Sequence, residues 1–430
     1  MTKKSKRRLD GLLLPLSVVA NSFARSVSPL VQRIRRSHVP LPSTARSLTV
    51  CKLEGIGSMV YAGHLCQVLK AGMPRLERVT FLTTKGNAEF ASRLDGVTNV
   101  VALDDANPWY LLCSACSALF KCRSDVYIDL EVYSNFSALF CTATLSWWRV
   151  GFFRQSANVR TGLYTHSVFF NLRRHIVENY LQAARALHIQ PSAIPLASPR
   201  ILDADQLEAG ATLNHLLGRI FVGVNANASD LLLERRWPCE SFSECIRILA
   251  AGFPALHVLI FGSKSEAGQS LQLLSCLGDD MKARTTDLTG RFRIGGFLAA
   301  LTRCDLLITN DSGPMHLAFS LGVPTVSLWG PGDPAHYGPL DHSFHKVCRE
   351  PVFCSPCIYQ TDPPPCRGQN ICMQSLSVAE VVRAASHLLS NPTTGSKATV
   401  VRPSSEDIYP DGRFAAVATD HINSMPLDEN

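Results

Sequence analysis

Residues 306–339 read LLITNDSGPMHLAFSLGVPTVSLWGPGDPAHYGP. The apolar run LLIT stops at Asn310-Asp311-Ser312-Gly313, and Pro314 then opens a short helical stretch, where its missing N–H and fixed φ cost nothing. Gly322 marks the end of that stretch. A second apolar strand at 325–329 runs into another turn, Gly330-Pro331-Gly332-Asp333-Pro334. This order is one βαβ unit of a parallel sheet, and both turns open at the carboxyl ends of strands, where doubly wound folds bind ligands.

The same alternation extends in both directions. Strands are predicted at 47–53, 78–83, 99–103, 125–130 and 149–153, with helical spacing between them, and again at 220–225, 257–262 and 305–309, with a closing helix at 377–390. A proline-containing stretch at 190–199 and a connecting helix at 204–217 place a domain boundary near residue 205. The chain of 430 residues is long enough for two or three domains. The expected fold is therefore α/β, with Rossmann-like domains at 47–205 and 206–390. Residues 391–430, rich in Pro, Ser, Thr, Asp and Gly, are expected to be a disordered tail.

Charge is distributed unevenly. Residues 1–46 carry ten Lys or Arg against one acid, Asp10, while the whole chain is only +7. The remainder is slightly acidic, which argues against a basic surface for nucleic acid. The excess reads as an N-terminal arm, either flexible or lying on an anionic membrane face. Gly11–Ala20 (GLLLPLSVVA) followed by Ser22-Phe23-Ala24 imitates a secretory leader, but the run is too short to span a bilayer. Fifteen cysteines, an odd number scattered through so large a chain, suit a reducing cytoplasm rather than a disulfide framework.

The residues around the quoted stretch divide into charge-binding and sugar-binding groups. Ser312, Gly313, Pro314 and Met315 lie at a helix start, whose backbone N–H groups and positive dipole end suit a diphosphate. His316, in the first turn, could donate to a phosphate oxygen. A carboxylate at Asp311 would repel phosphate, but it can accept hydrogen bonds from two vicinal sugar hydroxyls. The alternative is that Asp311 and Ser312 only cap the helix and His316 is a surface residue. Ser229, just beyond the strand at 220–225, is a further phosphate candidate.

With these motifs in hand, the sequence resembles glycosyltransferase family 9, the bacterial lipopolysaccharide heptosyltransferases. The Asp311-to-His316 run and Trp329-Gly330-Pro331 are similar to the family's donor-site motif. Lys52–Gly57, Ile128-Asp129-Leu130 with Ser137, Val150-Gly151-Phe152, Asn225, Arg235-Arg236-Trp237-Pro238 and Leu288-Thr289-Gly290 follow in the family's order. The resemblance covers roughly residues 47–390. It implies a GT-B fold, with two parallel sheets facing across a cleft. It also implies an inverting transfer of a heptose or related sugar from a nucleotide-sugar, ADP-heptose foremost, to a saccharide acceptor such as lipopolysaccharide core. By position, Arg236 would neutralise the diphosphate with Arg235 beside it, and Asp287 would hold the ribose.

One departure bears on catalysis. Where the family has Gly-Asp, the Asp being its general base, this chain has Gly57-Ser58. A serine hydroxyl cannot serve as that base without help, so Glu54 in the same loop is the candidate base beside Ser58. A surface glutamate is the alternative. The missing carboxylate leaves two rivals open: a donor-binding protein without transferase activity, and a nucleotide-sugar epimerase or hydrolase on the same fold. No cofactor is required by this reading. Cys354, Cys357, Cys366 and Cys372 have spacings that suit a structural zinc, or else a rigid loop of free thiols. Cys113 and Cys116 are expected to be small buried hydrophobes. The expected setting is the cytoplasm, peripheral to the inner membrane.

Overall fold

The computed structural model describes residues 3–38, 42–191, 194–228, 232–358, 360, 364, 366–367 and 369–391. The expected tail, apart from Asn391, lies outside the described residues, as does Ser229. The described residues form two compact units that divide between Ala197 and Ser198, ahead of the boundary expected near 205. The helix Asp203–Leu213 belongs to the second unit, where it packs on the helix Ile294–Leu301.

The first unit holds a six-stranded parallel sheet of β1 (Ser47–Cys51), β2 (Arg78–Thr84), β3 (Asn99–Leu103), β4 (Val126–Asp129), β5 (Trp148–Phe153) and β6 (His166–Phe169), in the order β3-β2-β1-β4-β5-β6. The second repeats this topology with β7 (Ile220–Asn225), β8 (Leu256–Ile260), β9 (Thr285–Asp287), β10 (Leu306–Asn310), β11 (Thr325–Trp329) and β12 (His345–Arg349), in the order β12-β11-β10-β7-β8-β9. Each order reverses once, between β1 and β4 and between β7 and β10. The loops leaving those strands diverge there and open a crevice. The central strands are Val-, Leu- and Ile-rich because helices cover both faces and every position is buried.

Among the described residues the α-helices of eight residues or more are α1 (Lys3–His38), α2 (Ile56–Gly72), α3 (Pro108–Lys121), α4 (Asn135–Ala143), α5 (Ile176–Ala186), α6 (Asp203–Leu213), α7 (Cys239–Gly252), α8 (Ala267–Cys276), α9 (Ile294–Leu301), α10 (Gly313–Leu321) and α11 (Val378–Ser390). In the first unit α2 packs with α5, while Leu111, Ala115 and Ala118 of α3 join Ala138, Phe140 and Cys141 of α4 in one apolar cluster. Cys113 and Cys116 do not join it. Both are exposed on α3, because its sheet-facing side is taken by Leu111, Ala115 and Ala118.

The basic N-terminal segment is a helix where a flexible arm was one expectation. Leu9 and Ala20 of α1 pack on the apolar cluster of the first unit. Asp10 accepts the backbone N–H groups of Asn135 (2.9 Å) and Phe136 (3.0 Å) and the Ser134 hydroxyl (3.1 Å). It thereby caps the start of α4 with a carboxylate from another helix. Asn21 accepts from the Gly162 N–H at 2.6 Å, and Arg25 donates to Thr161 at 3.0 Å. Among the described residues, no helix is long and apolar enough to cross a membrane.

Candidate active site

In the second unit, the crevice between β7 and β10 is built on buried amides. Asn225 ends β7 and donates to the hydroxyls of Ser312 (2.9 Å) and Thr309 (3.1 Å). Asn310 ends β10, donates to the Ala226 carbonyl at 2.9 Å and accepts the Trp237 N–H at 3.1 Å. These bonds tie both strand ends to the Arg235-Arg236-Trp237 segment. Trp237 is fully buried and anchors that segment beneath the two arginines.

Ser312 is the extended residue before α10, and its hydroxyl is engaged by Asn225 rather than by the helix start. Pro314 has no N–H, and the Met315 N–H donates back to the Ser312 carbonyl at 3.2 Å. An anion at this terminus would therefore look first to the Gly313 and Ser312 amides. The Met315 side chain is core, packed with Phe319 and Trp329. His316 is buried edge-on to Phe319 and Tyr337, so it is not the surface residue of the capping alternative.

Asp311 faces Arg235. The Arg235 guanidinium lies 3.5 Å from its carboxylate and 3.4 Å from its carbonyl. Burial pushes the Asp311 pKa above the usual carboxylate range, and Arg235 opposes that shift. A Cβ at Gly332 would sit 2.3 Å from the Asp311 carboxylate, so the second glycine turn is what makes room for it. Arg236 points elsewhere, donating to the Ala228 carbonyl (3.1 Å) and to Gln269 (3.4 Å) of α8.

Asp287 ends β9, with β8 and β7 between it and β10, so it does not meet Asp311 directly. It lines a hollow of about 560 Å³ with Glu208, Thr212, Thr289, Arg291 and Phe292. The Thr289 hydroxyl donates at 2.7 Å to Ser270, the neighbour of Gln269. Arg236 and the Asp287 turn are thus connected through the start of α8. This volume suits a small-molecule group such as a nucleoside.

In the first unit, the turn after β1 places Glu54 and Ser58 together at the matching reversal point. Glu54 forms a 2.6 Å ion pair with Lys6 of α1, and Lys6 also reaches Asp105 at 2.6 Å. Below the turn, Lys52 at the end of β1 bridges to Glu131 beyond β4 at 2.7 Å. Burial works against both charges, but each partner overrides it, holding Lys52 above and Glu131 below its ordinary pKa. Glu131 also accepts the Leu53 N–H at 2.7 Å, so it fixes the turn and has no basicity to spare.

Glu131 and Arg160 were not candidates from the sequence. Buried Asp129 accepts from Tyr164 (2.7 Å) and Ser137 (2.8 Å) and lies 3.3 Å from Arg160. Arg160 also donates to the Val132 carbonyl, holding the Glu131–Val132 backbone. Gly151 permits this network, since a Cβ there would enter the Tyr164 ring. An acid two residues past a strand-ending Asp was the available signal for Glu131; Arg160, in irregular sequence, offered none.

Cys357 and Cys372 both lie against the Gly330-Pro331 turn. The Cys357 N–H donates to Pro331 at 3.1 Å, and a Cβ at Gly330 would meet the Cys372 sulfur. Burial pushes Cys372 up to about 11, with Cys357, Cys354 and Cys366 adding to the shift. Yet among the described residues no three His, Cys, Asp or Glu side chains are arranged to hold a metal ion.

The profile described as Glycosyltransferase family 9 (heptosyltransferase) matches residues 114–366. The lipooligosaccharide heptosyltransferase 2 of Campylobacter jejuni is 29% identical over 175 residues, covering 40% of this chain and 52% of that one. The lipopolysaccharide heptosyltransferase 2 of Escherichia coli is 30% identical over 188 residues, covering 40% and 53%. The chain spans about half the length of these curated relatives. Among solved structures, an E. coli ADP-heptose lps heptosyltransferase II superposes with a TM-score of 0.66 at 21% identity, over 80% of this chain and 98% of that one, a likeness that concerns the fold. With the doubly wound units and the Asp311–His316 turn at a strand reversal, a family match over more than half the chain leads to one conclusion: this chain belongs to glycosyltransferase family 9.

Proposed function

We propose that the chain transfers a heptose from ADP-heptose to a saccharide of lipopolysaccharide core, with inversion and without a divalent metal. The observation that carries this reading is the β7–β10 reversal point, where amides at the start of α10, a guanidinium at Arg236 and a hollow beside Asp287 lie along one edge. A diphosphate at the amides and Arg236 would leave the nucleoside end toward Asp287. The relatives named as heptosyltransferases, and the fold neighbour described with ADP-heptose, support this donor.

Transfer needs a base for the acceptor hydroxyl, stabilisation of the departing diphosphate and exclusion of water. Glu54 is our candidate base. Arg236 and the Gly313 amide would stabilise the leaving group. Asp311 would read the sugar only by exchanging part of its pairing with Arg235 for hydroxyl donors. A donor-binding protein without transfer is the second reading, favoured by Ser58 and by the ion pair that occupies Glu54.

The test is incubation with ADP-heptose and heptose-deficient core saccharide. The expected result is ADP release that depends on acceptor, with a matching mass gain. ADP release without acceptor would mark a hydrolase, and saturable ADP-heptose binding with no release would mark the binding protein.

A further inference from the structure

The outward face of α1 carries an apolar stripe that the fold leaves uncovered. Leu12, Leu16, Val19 and Phe23 recur at i, i+4, i+7 and i+11, so they share one side of the helix. They are strongly exposed, with Leu12 at 77% and Phe23 at 69%. The opposite side is the docked one, where Asp10 caps α4 and Asn21 meets Gly162. Docking α1 onto the unit therefore fixes the stripe outward.

A second exposed apolar surface lies on α3. Lys6 of α1 pairs with Asp105, which closely precedes α3, so the starts of the two helices are neighbours. On α3, Trp109 and Phe120 are 68% and 85% exposed, on the side away from the residues that meet the sheet. Apolar surface of this extent marks an interaction face.

Charge selects the occupant. Residues 1–46 carry ten Lys or Arg and only one acid, Asp10, and that acid is turned inward to cap α4. Exposed Arg8 adjoins the stripe. A cationic helix with leucine and phenylalanine on one side, too polar to cross a bilayer, lies in the plane of an anionic membrane surface.

We propose that the outer face of α1 docks the first unit on an anionic phospholipid bilayer. The proposal takes from the transfer reading only its purpose, bringing the enzyme to a lipid-anchored acceptor. It is measured without donor or acceptor, so either idea can fail alone.

The full chain is floated with vesicles of phosphatidylcholine, with and without phosphatidylglycerol. The expected result is binding to the anionic vesicles that weakens with salt, and binding about tenfold or more weaker for the Leu16→Ala/Phe23→Ala pair. If that pair loses helical circular dichroism, Leu12→Ala/Val19→Ala on the same stripe replaces it, with the same expectation. No binding by the unaltered chain, or equal binding by the folded pair, overturns the proposal. So does a pair whose only change is loss of self-association in sedimentation, which would make the stripe a protein contact.

Discussion

At the scale of single residues, the two loop carboxylates of interest are both held by cations. Asp311 is buried against Arg235, and Glu54 is exposed but paired with Lys6. An exposed pair of this kind contributes little stability and exchanges readily with solvent, so Lys6 can release Glu54 at small cost. Glu54→Gln is accordingly expected to lower kcat by about 10²- to 10⁴-fold while leaving ADP affinity unchanged, in transfer assays paired with calorimetric titration. Undiminished transfer would remove Glu54 as the base. In the core, Asn310→Ala deprives the buried Trp237 N–H of its acceptor and should cost about 1–3 kcal/mol in denaturant unfolding. The place of Asp311 and Ser312 between a strand end and a helix start was legible from the motif. The Arg235–Asp311 pairing was not, because it joins segments 76 residues apart in sequence.

At the scale of elements, the cap from Asp10 to α4 is what couples the basic helix to the fold. Asp10→Ala leaves two backbone N–H groups at the start of α4 without their acceptor, and should cost about 0.5–2 kcal/mol. It should also quicken limited proteolysis within residues 3–38. Unchanged proteolysis would show that Asn21, Arg25 and the apolar contacts hold α1 without the cap. The strands that sequence patterning missed were β6, β9 and β12, all at sheet edges. Their sequences HSVF, TTD and HKVCR mix polar with apolar residues, since an edge strand need not be buried on every side. The continuous apolar runs of β7, β10 and β11 were readable because central strands are covered on both faces.

At the scale of the whole molecule, each unit encloses a histidine that resists protonation. Burial pulls His64 in the first unit, and His345 in the second, down to about 4 from an ordinary 6.5. Above pH 6.5 both histidines are neutral whether the chain is folded or not, so they cost nothing. Between pH 6.5 and 4 the unfolded chain gains protons that the folded one refuses, and stability falls by up to about 3 kcal/mol per histidine before levelling. Thermal unfolding should therefore drop steeply over that interval, and His64→Phe should flatten the drop for the first unit; an equally steep drop in that variant would contradict the assignment. The sequence by itself determined the two doubly wound units and the turn from Asp311 to His316 at a strand end, because local patterning and short motifs carry those properties. Only the tertiary structure decided that the basic segment is a docked helix with an outward apolar stripe, that Glu54 meets Lys6, and that Glu131 and Arg160 brace the loop. Those facts depend on contacts between residues far apart in sequence, which no local pattern encodes.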